Sequence, residues 1–447
     1  MCVADLQSKV VDPSLVVSGA SYDAQVLAPE DQWIAKLDHA SFKEDVQQLG
    51  KQLQEAQGPD DVAHLHKIMR WQRVCSWVGA LTMWYSVNPL SIYLLSLGCM
   101  TRWTIIGHHV CHGGFDKCSK GEYSRFKFGT GSLWRRAVDW LDWMLVEAWN
   151  VEHNQLHHYC LGEVADPDLV EHNLTSLRGM PLPRAVKYGV VAFFMVTWKW
   201  FYYAPNTFKM LKVHELRRQG KVPTWKGGVP VPQKLLESGW TIHPNWLFGK
   251  GPIFYTAVEF FGRVLGPYFV RQFVLLPALF GALLGATAAT NALVSLVLAE
   301  LLTNAHSFLV IVTNHAGDDL YRFDRHCAPR SATFYLRQVV SSVNFSMGTD
   351  LIDFHHGWLN YQIEHHLWPD LSMLSYQRGA PLLREICAKH GVPYLQHSVF
   401  YRLKKTVDIM IGEASMRRYP TKWEKEVDLT PLDGAATAAA PGHAHQH

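Results

Sequence analysis

Apolar positions along the chain gather into a few long runs set between polar stretches. Residues 1–67 are polar with short helical patterns, such as Glu44 to Gln57, and read as a soluble N-terminal arm. From Ile68 the character changes: 68–87 and 91–106 are apolar and aromatic-rich, separated by Asn88-Pro89. Two helices of about 16–20 residues joined by an Asn-Pro turn suit a membrane hairpin. A buried hairpin of a soluble protein would show a similar pattern, but the Trp and Tyr at the run ends favour a membrane–water interface. A second apolar region, 264–312, is interrupted around 281–291 and predicts two further helices, 264–284 and 288–312. Arg271, Glu300 and His306 lie inside it, and ionisable groups at membrane depth are costly unless they face a polar interior. The stretch 185–204 carries Lys187, Lys199 and the ring cluster Trp198, Trp200, Phe201, Tyr202 and Tyr203, which suits a helix lying in the interface.

The pattern predicts an all-α integral membrane protein with about four transmembrane helices in two hairpins, together with interfacial helices. If 185–204 does not cross, residues 107–180, 205–262 and 315–447 share one side. Lys117, Lys120, Arg125, Lys127, Arg135 and Arg136 make that side basic, which places it in the cytosol. Three segments follow: the arm 1–67, a membrane domain 68–400 and an extension 401–447. The extension ends in an Ala-, Pro- and His-rich tail from Ala435 that is expected to be disordered.

Composition removes several classes. A formal charge of +3 argues against a nucleic-acid protein held by a strongly basic face. With 48% apolar and only 18% charged residues, global disorder is excluded. The mean hydropathy of −0.05 excludes a chain that is nearly all membrane, not one that carries a few spans. The eight cysteines contain no C-x-x-C pair and are too scattered for a disulfide scaffold, so reduced thiols facing a cytosol-like compartment are expected. The first 50 residues show no signal-peptide pattern, and Asp5, Asp12, Asp23, Glu30 and Asp31 fit poorly with a transit peptide. The endoplasmic reticulum is the expected membrane, with a plastid membrane as the alternative.

The 24 histidines change the picture. Three clusters lie next to predicted membrane ends: His108, His109 and His112; His153, His157 and His158; and Gln362, His365 and His366. Residues four apart share a helix face, so His108 can point with His112 and His153 with His157, while His158 reaches towards a second metal. Gln362 precedes His365 and His366 by three and four residues and shares their face. Imidazole suits Zn, Cu, Fe and Ni, and so many clustered histidines exceed the needs of one zinc. There is no H-E-x-x-H run and no cysteine set for an iron–sulfur cluster. A cytosolic, His-rich, oxygen-activating di-iron cap fits best.

The set H-x-x-x-H, H-x-x-x-H-H and Q-x-x-H-H near the ends of membrane hairpins resembles the membrane fatty acid desaturases over roughly residues 70–400. Gln362 at the head of the third box, the Gly357-to-Tyr361 lead-in and the Leu367-Trp368-Pro369 that follows are similar to the front-end acyl branch. The resemblance implies an oxygen-dependent desaturase that inserts a C=C bond into the acyl chain of a lipid, using two Fe ions and O2. It implies His108, His112, His153, His157, His158, His315, His365 and His366 as ligands. Gln362 enters as a weak or outer ligand and Asn314 as a neighbouring or water-mediated one. His109 stands where the family often has Asp, and is either an outer partner or a ligand. His355 and His356 are either surface or supporting residues, or ligands. His306 reads as a satisfied polar residue of the bundle, and Asp166-Pro167-Asp168 as an anchor for Arg or Lys or a plain capped turn.

No H-P-G-G signature of a fused cytochrome b5 domain appears before residue 70 or in the C-terminal part. Electrons are therefore expected from a separate protein, cytochrome b5 or ferredoxin. The basic loops 117–136 and 209–226 either dock such an acidic donor or fix topology against lipid. Two rivals stay open. One is a di-iron lipid hydroxylase of the sterol, sphingolipid or carotenoid type. The other is a non-enzymatic membrane metal-binding protein, disfavoured because transporters place polar groups at mid-membrane. Partners are a membrane lipid or acyl substrate and the donor, with no nucleic acid.

Overall fold

The computed structural model describes residues 27–140, 142–224, 229–231, 236 and 255–429. The first 26 residues of the arm and the tail from Ala435 lie outside the described residues, as does part of the basic loop 209–226. Met1–Leu37 and Asp38–His447 form two compact units. In the first, short turns cover Pro29–Asp31 and Ile34–Lys36.

The second unit is built of helices. Among the described residues the only strands are β1, Tyr321–Arg322, and β2, Arg417–Arg418, which pair in parallel. Helix α1 spans His39–Glu55, and Asp38 caps it by accepting from the backbone N–H groups of Ala40 and Ser41 at 3.0 and 3.2 Å. Phe42, Val46, Leu49 and Leu53 recur at helical spacing and are buried. Gly50 on the same helix lies under the indole of Trp368, with no room for a Cβ. Gly50→Ala should therefore lower thermal stability by about 1–3 kcal/mol through overpacking. A melting curve of the purified variant that matches the parent would contradict this.

Helix α2 spans Pro59–Thr82, with Pro59 at its first position and the Asp61 carboxylate accepting from Gly58 N–H at 2.8 Å. Its first half is polar and packs into the cap, where Leu65 and Ile68 are buried. Its second half turns Val74, Trp77 and Leu81 outward, with Trp77 65% exposed. Helix α3, Pro89–Thr101, starts where the sequence predicted a turn: the Asn88 side chain accepts from Ser91 N–H at 2.8 Å. The two helices touch at Gly79 and Gly98, where Leu95 and Ser76 approach the bare backbone. Beyond Thr101, α3 widens into a π-helical turn, Arg102–Gly107, and regains α geometry at His108–Cys111.

A second wide turn, Asn150–Leu156, follows α4, Val146–Trp149, and tightens at His157–Tyr159. Such widened turns are frequent at functional sites. Helix α5 spans Arg184–Met195 and α6 Ala204–Arg218. Helix α7 runs from Ala257 to Leu284 and α8 over Ala286–Ile311. The break expected around 281–291 is a single residue, Gly285, at φ 94°, a value that favours glycine. The cap is completed by α9, Ala332–Val340, α10, Gln362–Leu367, α11, Met373–His390, and α12, Val399–Ile411.

Among the described residues, three helices are long and apolar enough to cross a membrane: Pro89–Cys111, Ala257–Leu284 and Ala286–Asn314. The first of the four predicted spans, 68–87, does not qualify. Its helix ends at Thr82, and Asp60, Asp61, Lys67, Arg70 and Arg73 occupy the N-terminal part. The segment 185–204 divides. Helix α5 does expose Val186, Tyr188 and Phe193, but Trp198, Lys199 and Tyr203 turn inward and are buried. The cause is electrostatic: Lys199 Nζ lies 3.0 Å from Asp142 and 3.1 Å from Glu300, both buried. A charge paired on two sides is drawn into the bundle rather than to the interface.

Candidate metal centre

Each box is delivered by a helix end. The π turn of α3 sets His108, His109 and His112 at its cap end, the wide turn after α4 carries His153, the tight turn carries His157 and His158, and α10 carries Gln362, His365 and His366. His315 follows the last turn of α8. These elements converge, which puts the three boxes at one end of the helices.

Two groups of ring nitrogens form, the atoms of each lying within 4.8 Å of one another: His108, His112, His153 and His365, and then His157, His315 and His366. Nε2 of His108 and Nε2 of His365 are 2.9 Å apart, and those of His315 and His366 are 3.1 Å apart. His158 lies between the groups. Its Nε2 is 3.3 Å from that of His153, and its ring stacks on His366 at 4.3 Å and meets His112 at 4.5 Å. Gln362 reaches His315 Nε2 at 2.8 Å through its amide, whose two ends exchange by a half-turn.

This geometry fits bound metal. Two imidazoles at right angles on an ion, each at about 2.1 Å, leave their nitrogens about 3 Å apart. His112 Nε2 is buried with no partner, as expected of a lone pair aimed at an absent ion. Three of the outer nitrogens are held by oxygen acceptors. Asp166 accepts from His157 Nδ1–H at 2.8 Å, the Ser341 carbonyl from His315 at 3.1 Å, and the Gln338 amide oxygen from His366 at 3.2 Å. Each such bond fixes a tautomer and turns Nε2 to the centre. Burial, reinforced by neighbouring imidazoles, pushes His112, His153, His158, His365 and His366 well below the ordinary histidine range, and His315 down to about 3. His157 differs: burial opposes its charge, but the Asp166 carboxylate outweighs this and raises it. Neutral rings are the ligand form.

The i, i+4 pairing brings His108 together with His112, and stacks His153 on His157 at 5.2 Å, although these last two also divide between the two all-histidine groups. Leu156, at φ −111° and ψ −63°, ends the wide winding just before the tight turn begins. His109 is outside both groups, its Nδ1–H given to the Ile105 carbonyl at 2.7 Å. The Asn314 amide donates to the Leu359 carbonyl at 2.9 Å, while its Oδ1 is buried without a hydrogen-bond partner. His355 and His356 bond their own helix carbonyls, of Leu351 and Ile352, away from the centre. His306 is satisfied by the His355 carbonyl at 2.7 Å.

Sequence reasoning missed Asp166. It holds His157 rather than Arg or Lys, and its spacing of nine residues from His157 was the available signal. Asp168 also approaches, forming a third group with His153 and His157. A further group, Cys160, Glu163 and His326, is tied up: Glu163 is ion-paired to the buried Arg337 and to His326. Asp166→Asn should lower metal affinity by about 10–100-fold, the usual effect of losing an outer partner. Chelator competition on the purified variant reads this directly, and an unchanged affinity would count against the role.

An apolar cavity starts at His108, His153 and His157 and passes between Trp103, Trp198 and Phe308. Its polar contacts are few. An aliphatic group fits such walls.

The family model described as fatty acid desaturase matches residues 82–398. The chain belongs to the fatty acid desaturase family. Desaturases are oxidoreductases, and the three apolar helices make this one a membrane protein. It is 25% identical to the NADPH-dependent stearoyl-CoA 9-desaturase of Mycobacterium tuberculosis (strain H37Rv) over 80% of this chain and 76% of that protein. A shorter segment, 15% of the chain and 18% of the relative, is 38% identical to the sn-1 linoleoyl-lipid 6-desaturase of Arthrospira platensis. Fatty acid desaturase 3 of Bos taurus is 54% identical over 10% of each chain. No solved structure gives a significant match. The seven cysteines among the described residues are all free, in line with reduced thiols.

Proposed function

We propose that the chain is an oxygen-dependent di-iron fatty acyl desaturase. The observation that supports this best is the pair of histidine groups, joined through His158, at the inner end of an apolar cavity. His108, His112, His153, His157, His158, His315, His365 and His366 would hold two irons, with Gln362 as a weak or outer ligand. Neither His109 nor Asn314 is assigned a direct bond. When bound, the irons supply the oxidant that an unactivated C–H bond requires. Overall, two adjacent methylenes lose two hydrogens, O2 is reduced to two waters, and two electrons and two protons come from outside. The chain's own part is to hold the acyl group against the histidine wall, fix the carbon pair by the cavity's shape and keep water out. Asp166 keeps the proton on His157 Nδ1, so that Nε2 stays available.

The electrons come from a separate donor such as cytochrome b5 or ferredoxin. In this reading, α2 supplies the fourth crossing through its outward-facing second half. Residues 68–400 are the membrane domain, and the membrane is that of the endoplasmic reticulum. The test is expression in a host with a compatible donor, with double bonds mapped by mass spectrometry. A new unsaturated acyl species is expected, a hydroxylated product would move the chain to the hydroxylases, and protein without iron or product would sink the proposal.

A further inference from the structure

The cavity does not end inside the protein. From the histidine wall it runs to Leu174, Phe194, Phe201 and Ile311, between α5 and the last turns of α8. Phe201 is 45% exposed, and Leu174, Phe194 and Ile311 are half-buried, so this is where the cavity meets the surface. The surrounding surface is apolar as well, because α5 turns Val186, Tyr188 and Phe193 outward beside it. Ile311 belongs to a candidate span, Ala286–Asn314, which puts the mouth at the level where that helix leaves the bilayer.

The charges around the mouth say what carries the acyl chain. Apart from the histidines, Asp168 is the only ionisable carboxylate on the cavity wall, and the wall has no Lys or Arg among the described residues. The cations on the framing elements are engaged. Arg178 pairs with Glu171 at 3.1 Å, Arg184 with Glu413 at 2.6 Å, and Lys404 with Asp408 at 2.7 Å. Lys187 donates to the carbonyls of Arg178 and Ile411 at 2.8 and 3.1 Å. A coenzyme A thioester brings several phosphates, which call for uncommitted Arg or Lys forks. A bilayer lipid needs only an apolar way in from the side.

We propose that the substrate is an acyl chain still esterified to a membrane lipid, and that it enters sideways between α5 and the end of α8. This rests on the desaturase reading. The full chain, in phosphatidylcholine nanodiscs with a donor system, is given phosphatidylcholine bearing a mid-chain diazirine. Photolysis should label Leu174, Phe194 or Phe201, excess stearoyl-CoA should leave the labelling unchanged, and Phe201→Glu should reduce it at least 5-fold. Phe201→Leu, which keeps the rim apolar, should retain it. In parallel, isotopically marked acyl chains are supplied either on phosphatidylcholine or as the thioester, and the carrier of the new double bond is identified. Product on the lipid is expected. Labelling that stearoyl-CoA displaces, or product on the thioester alone, overturns lateral access by a lipid while leaving the desaturase reading standing. No double bond on either carrier, from iron-loaded protein, overturns that reading, and lateral access by a substrate with it.

Discussion

His157→Ala is expected to abolish desaturation, with product falling at least about 100-fold, beyond what loss of an outer partner costs. In the proposed ligand set His157 is one of three rings in the smaller group. It is grouped with His315 and His366, and the Asp166 carboxylate fixes its tautomer. Its removal leaves that group with two rings, too few to hold an ion tightly. Metal content should fall along with the product. Membrane insertion should persist, because the three candidate spans do not include this residue. Lipid profiling beside iron analysis checks both. Retained product with full iron would remove His157 from the ligand set.

The second large effect concerns stability rather than chemistry. Lys199→Met should destabilise the fold by about 3–5 kcal/mol, the cost of stranding buried charge. Lys199 Nζ is fully enclosed and joins Asp142 to Glu300, and the Tyr268 hydroxyl donates to Glu300 at 2.6 Å. Without the ammonium, two carboxylates face each other in the bundle. Their cluster ties α7 and α8 to the segment before α4, so poor yield and early melting in detergent are expected. The triple change Lys199→Met, Asp142→Asn and Glu300→Gln should recover most of the loss, since neutral groups strand no charge. A single variant as stable as the parent would mean that water reaches this cluster.

The centre was legible in the sequence because ligand chemistry leaves few alternatives. Histidines at helical spacing beside apolar runs mark a metal site whatever the packing, and the convergent rings all came from those clusters or from His315. What was not legible depends on backbone winding and on partners far away in sequence. That His153 and His157 each also join a separate histidine group depends on the change of winding at Leu156, which no spacing rule contains. The inward turn of Lys199 depends on Glu300, about a hundred residues on, so periodicity alone reads the segment as interfacial. The start of the first run was not legible, because hydropathy rises before the helix leaves the cap. Asp166 looked like a turn residue because its partner ring is placed by the tertiary fold.

The distance along the chain between His108 and His365, which come within 2.9 Å, sets a timetable for maturation. As the polypeptide emerges from the ribosome, the first two boxes are made long before the third, with α7 and α8 still to be inserted between them. Contacts of such wide sequence separation form late. Neither histidine group can close until residue 366 has cleared the exit tunnel and the second hairpin has entered the bilayer. A metal held by all three boxes is therefore taken up late, after α7 and α8 have been made.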